Sequence, residues 1–141
     1  MPIKICIIGG EFHKKITEEM LQYAEDIAPK LEANIKKVIW VPGSLEVPLI
    51  VKEVLESGKY NAIVLLGFIE KGETLHGEVI GHQVIKKILD LQLEYRTPIG
   101  VGIIGPGATI EQAKARTKEF AEKAMAAAVK MRRLLGQISD S

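Results

Sequence analysis

The chain has 141 residues, 47% of them hydrophobic and 26% charged, with a formal charge of +1. That length suits one domain, residues 1–141, with a proper core, and the near-neutral balance offers no overall field for gathering nucleic acid or an anionic membrane. An aromatic share of 5% argues against base-stacking platforms, and the single cysteine, Cys6, excludes both an internal disulfide and a thiolate metal cluster.

Four apolar runs alternate with four helical patterns. "IKICIIGG" (3–10) is Ile-rich and closes on a Gly pair, which predicts a buried strand and a turn, with Cys6 inert inside it. From Phe12 to about Leu31, Ile16, Met20, Ala24, Ile27 and Leu31 recur at helical spacing. "IKKVIWV" (35–41) is a second strand, stopped by Pro42-Gly43. Ser44 is a candidate N-cap for the helix in "LEVPLIVKEVLES", with Gly58 as its stop. "NAIVLLGFI" (61–69) is apolar throughout, as expected of a central strand covered on both faces. A third helix is predicted from about Thr74 to Tyr95, with Val79, Val84, Ile88 and Leu91 inward. "PIGVGII" (98–104) is the fourth strand, followed by a break at "GPGAT". Thr109 and Gln112 have capping-box spacing for one last helix. That helix is expected to bury Ile110, Ala113, Phe120, Ala124, Ala127, Met131 and Leu134 and to end at Gly136.

The alternation predicts a three-layer α/β/α sandwich around a four-stranded parallel sheet, since parallel strands need crossovers and these are right-handed. The expected order is 2-1-3-4, the flavodoxin-like arrangement. No apolar run reaches the ~18–20 residues of a membrane span. The chain opens directly in a strand pattern, without the look of a leader, so a cytoplasmic protein is expected.

Ligands of such sheets bind beyond the carboxyl ends of the strands. That rule selects "GGEFHK", "VPGSLE", "GFIEKGETLH" and "GIIGPGAT". Gly72-Glu73-Thr74 stands where the third helix begins, where free N–H groups and the helix dipole favour an anion. Capping is the commoner use of such a Thr when the segment is taken alone. His76, in the first turn, suits proton transfer at neutral pH, with Gly77 and Gly81 leaving room beside it. A surface His at a helix start is the competing reading. His82 and His13 have weaker claims, His13 as part of a polar helix face. No His pair has zinc spacing with a third ligand, so no metal is expected. Arg116, two turns into the last helix, reads alone as a solvated side chain.

Together these fragments resemble the lumazine synthase family. The match lies at "VPGSLEVP", "LGFIEKGETLH" and "TIEQAKAR", in register over essentially the whole chain. The "GIIGPGAT" loop and the ending "AAAVKMRRLL" are similar to the archaeal branch. The resemblance implies a transferase of riboflavin biosynthesis. It would condense 5-amino-6-(D-ribitylamino)uracil with 3,4-dihydroxy-2-butanone 4-phosphate to 6,7-dimethyl-8-ribityllumazine, with no cofactor and no metal. By matching position it implies that Phe12 stacks on the pyrimidine and that Ser44, Leu45 and Glu46 hold the ribityl chain. Phe68, Ile69 and Glu70 would line the pyrimidine pocket. Glu73 (by its N–H), Thr74 and Arg116 would bind phosphate, and His76 would carry protons. Val101 would close the site from a neighbouring subunit. A homopentamer is implied, alone or as twelve pentamers in a 60-subunit shell.

Departures from the family pattern are visible. Lys71 stands where many relatives have Arg, Gly105-Pro106-Gly107 replaces a Thr-rich segment, and the "GNKG" segment after the Arg is absent. Lys118 or Lys123 could replace its lysine at the phosphate. A sister enzyme, riboflavin synthase of the archaeal type, would use the lumazine itself, and the intact "GETLH" with Arg116 argues against it. A phospho-accepting receiver would need acidic residues after the first strand and an Asp closing the third. The chain has Gly9-Gly10-Glu11 and Gly67-Phe68 there.

Overall fold

The computed structural model describes residues 2–72 and 75–140. Four parallel strands, β1 (Ile3–Gly10), β2 (Ala33–Val41), β3 (Ala62–Glu70) and β4 (Ile99–Ala108), form one sheet in the order β2-β1-β3-β4. The expected order is therefore the observed one. Helices α1 (Lys14–Ile27), α2 (Val47–Ser57), α3 (His76–Tyr95), α4 (Ile110–Lys114) and α5 (Thr117–Asp140) flank it.

Two apolar layers result. One, on the α1 and α5 side, contains Ile5, Ile7, Met20, Val64 and Met125. The other, on the α2 and α3 side, contains Cys6, Ile8, Val51, Leu65 and Ile88. Strand β3 faces both layers and is buried from Ala62 to Phe68, which is why its sequence does not alternate. Burial pushes the Cys6 thiol up to about 11, with Lys37 opposing, so it packs as a small hydrophobe. Among the described residues no helix is long and apolar enough to cross a membrane.

Several local expectations are corrected. Ser44 does not cap α2: Ser44–Glu46 form a 3-10 turn, and the residue before the helix is Glu46. The first helix gives way to a 3-10 turn at Ala28–Leu31, where Pro29 removes an N–H. The "GPGAT" break is not a strand end. β4 continues to Ala108, and Gly105-Pro106-Gly107 bulge out between the pairs Phe68–Ile104 and Glu70–Ala108. The bulge needs positive φ at Gly105 (91°) and Gly107 (99°), which only glycine adopts without strain.

The last helix is not continuous. The Thr109–Gln112 capping box is present with both of its bonds, but α4 ends at Lys114 and α5 restarts at Thr117. Arg116 thus lies in the joint between helices rather than two turns into one. The phase of α5 also differs: it buries Ala121, Ala124, Met125, Ala128 and Val129, and leaves Ala127 and Met131 exposed. In α3, Val79 faces outward. Helix α5 runs through Gly136 to Asp140, because one glycine costs a long helix only about 1 kcal/mol.

Candidate active site

The carboxyl ends of β1, β2 and β3 and the start of α3 enclose a cleft of about 360 Å³. That volume suits a small organic ligand. Its walls are Phe12, Gly43, Ser44, Leu45, Glu46, Phe68, Ile69, Glu70, His76 and Ile80. Eight of these are residues singled out from sequence. They come from segments far apart in the chain, brought together by the parallel topology.

Each wall has a local cause. After β1, the Glu11 N–H donates to the Val41 carbonyl at 2.8 Å, tying the first loop to the end of β2. Phe12 then projects with 78% of its surface exposed. The turn Pro42-Gly43 drops into the 3-10 turn that carries Ser44, Leu45 and Glu46. Strand β3 brings buried Phe68, half-buried Ile69 and exposed Glu70 to the rim in succession. The Lys71 N–H donates to the Ala108 carbonyl at 2.8 Å, holding the strand end to β4.

Helix α3 is described from His76, with Leu75 at the cap position. The room expected beside His76 is filled by other parts of the chain. A side chain at Gly77 would come within 3.2 Å of the Glu70 carbonyl, and one at Gly81 would overlap the Pro106 ring at 2.8 Å. These two glycines let α3 settle directly on the end of β3 and on the β4 bulge. That contact sets His76 at the cleft.

Glu73 and Thr74 lie outside the described residues. Two other candidates do not line the cleft. Val101 is 36% exposed on edge strand β4, opposite Leu65 of β3. Arg116 has a side chain 56% exposed, with its guanidinium 4.0 Å from Glu119. Lys123 lies 3.8 Å from the same carboxylate.

One residue was underrated from sequence. His13 does not belong to a polar helix face. It precedes α1, and its ring packs between Phe12 (centroids 4.9 Å, edge-on) and Phe68 (4.8 Å, tilted). Its Nε2 is buried, 3.3 Å from Glu70 Oε1, without the alignment of a hydrogen bond. The available signal was its place beside Phe12 in the first loop.

Comparison with known proteins agrees over nearly the full length. The sequence profile described as 6,7-dimethyl-8-ribityllumazine synthase matches residues 2–136. A protein of that name from Metallosphaera sedula is 46% identical over 138 residues, covering 98% of this chain and 91% of its own. One from Saccharolobus islandicus is 45% identical over 129 residues, covering 92% of this chain and 84% of its own. One from Pyrobaculum arsenaticum is 40% identical over 131 residues, covering 93% and 87%.

Proposed function

This chain belongs to the 6,7-dimethyl-8-ribityllumazine synthase family, and on that premise we propose how its cleft performs the condensation. The protein is a transferase of riboflavin biosynthesis. It joins 5-amino-6-(D-ribitylamino)uracil to 3,4-dihydroxy-2-butanone 4-phosphate, forming 6,7-dimethyl-8-ribityllumazine and releasing phosphate and water.

The observation that carries the assignment of roles is the cleft itself, which gathers both polar and apolar candidates from three strand ends. In this reading the pyrimidine stacks on Phe12, and Phe68, Ile69 and Glu70 form the facing wall. Ser44, Leu45 and Glu46 hold the ribityl chain, whose hydroxyls match a hydroxyl and a carboxylate. The phosphate sits at Glu73, Thr74 and Arg116, the last offering a planar charged fork.

The substrate's amine attacks the ketone, and loss of water leaves an imine. Loss of the proton at C3 then expels phosphate from C4 and leaves an enol, which tautomerises to a ketone at C3, and the second amine closes the ring on that new carbonyl with loss of water. His76 moves the protons of these steps. Holding two substrates in contact supplies much of the rate, since orientation alone can replace several kcal/mol of barrier.

Val101 belongs in this reading to the neighbouring subunit's site, which explains its place outside the cleft of its own chain. A pentamer, alone or in a shell, and a cytoplasmic location are part of the same proposal. The test is an assay with both substrates, followed by lumazine absorbance and phosphate release. Formation of riboflavin from lumazine alone, with no product from the two substrates, would overturn it.

A further inference from the structure

The three-ring contact beneath the cleft does something the roles above leave unused. His13 is anchored through its backbone at the start of α1. Its carbonyl accepts the Ile16 N–H at 3.1 Å, the Thr17 N–H at 3.1 Å and the Thr17 hydroxyl at 3.3 Å. Thr17 is itself buried. The backbone of His13 is therefore pinned to the first turn of α1.

From that anchor the ring touches Phe12 on one side and Phe68 on the other, and its Nε2 lies 3.3 Å from Glu70. Phe12 is mostly exposed, and among the described residues its ring contact is with His13. An exposed aromatic side chain left to itself loses rotamer freedom when a ligand fixes it. A buried ring nitrogen without an aligned hydrogen bond is costly to keep unless a nearby charge compensates it. Glu70 is the group in position to do so.

We propose that His13 is a positioning residue for the pyrimidine substrate: it props the Phe12 ring in its stacking orientation and holds the Glu70 side chain against the cleft wall. The inference rests on the reading that Phe12 and the end of β3 form the pyrimidine pocket. It assigns His13 no contact with the reacting atoms.

The test is a kinetic double-mutant cycle on the full-length protein with both substrates, using His13→Ala, Glu70→Ala and the double variant. His13→Ala is expected to raise KM for ribitylaminouracil by about threefold to tenfold, the size of an aromatic edge contact. KM for the phosphorylated butanone and kcat should stay near wild type. The double variant should fall short of the product of the two single effects, because both singles remove the His13 hold on Glu70, while the prop on Phe12 is lost only with His13. His13→Gln, which keeps a donor in reach of Glu70, should recover part of the loss. If His13→Ala does not fold, His13→Phe takes its place in the cycle, keeping the ring contacts while removing Nε2. A smaller but still non-additive KM effect is then expected.

Independent effects of the two positions, or an equal rise in both KM values, would overturn the proposal. Phe12→Ala separates it from the reading beneath it. If Phe12→Ala raises the pyrimidine KM and His13→Ala does not, only the role of His13 fails. If Phe12→Ala leaves that KM unchanged, the pocket reading fails as well.

Discussion

His76 stands at the first position of α3, where the helix is pressed onto the end of β3 by Gly77 and Gly81. Its place at the cleft therefore depends on this backbone packing. His76→Ala is expected to lower turnover by about 10²–10⁴-fold, the usual share of one proton-transferring side chain. Measurable activity should remain, because substrate orientation survives. A variant matching wild type between about pH 6 and 8 would remove the proton-carrying role. Arg116 poses a different case. Among the described residues its ion-pair partner is Glu119, 4.0 Å away and shared with Lys123, a solvent-exposed pair of little worth. Arg116→Ala should weaken the phosphorylated substrate by about 1.5–3 kcal/mol, the range for a bond to a charged group. Affinity for the pyrimidine should barely change. Equal losses for both substrates, measured by titration, would take Arg116 out of the phosphate site.

At the scale of elements, α5 lies unusually close to β4. A methyl group added at Gly100 would collide with the Ala124 carbonyl, and one at Gly102 would come within 3.1 Å of Ala124 Cβ. Small residues on both sides make this approach possible: Gly100 and Gly102 on the strand, Ala121, Ala124 and Ala128 on the helix. The alanine face therefore closes inside the subunit. Gly100→Ala should destabilise the fold by about 1–3 kcal/mol through overpacking. A lower urea midpoint with an unchanged slope would show it, and an unchanged midpoint would mean that the helix can back away. At the other end of the sheet, the Tyr95 hydroxyl donates to Glu56 at 2.8 Å and ties α3 to α2. That bond, chiefly, pushes the tyrosine up to about 12. Its contribution is complete below the ordinary tyrosine pKa and is lost as pH rises through about 12.

For the molecule as a whole, the case for assembly rests on surface apolar groups. Phe12, Leu45, Leu49, Leu75, Leu89 and Leu93 are each more than half exposed. The proposed assembly would cover part of this apolar surface, the rest of which belongs to the cleft. The proposed site also needs Val101 from a second chain. We therefore expect a pentamer as the smallest active unit, stable to modest dilution because obligate interfaces are large and apolar. Light scattering on dilute, fully active protein measures this directly. An active monomer would end both the shared-site geometry and the role given to Val101.

The alternation of apolar runs with helical periods, and the Gly- and Pro-rich stretches after the strands, determined the parallel sheet and the location of the cleft. These signals are local: they depend on periods of two and 3.6 residues and on turn chemistry. The motifs "VPGSLEVP" and "LGFIEKGETLH" identified the family for the same reason, being contiguous. Only the tertiary structure decided the rest. The Gly-Pro-Gly bulge exists because β3 supplies one residue, Ile69, opposite three of β4. The phase of α5 follows from which side of it β4 can approach, which periodicity alone does not specify. His13 looked like helix surface because its partners, Phe68 and Glu70, lie more than fifty residues away in sequence. Contacts between distant segments are set by how helices seat on the sheet, and no local pattern records them.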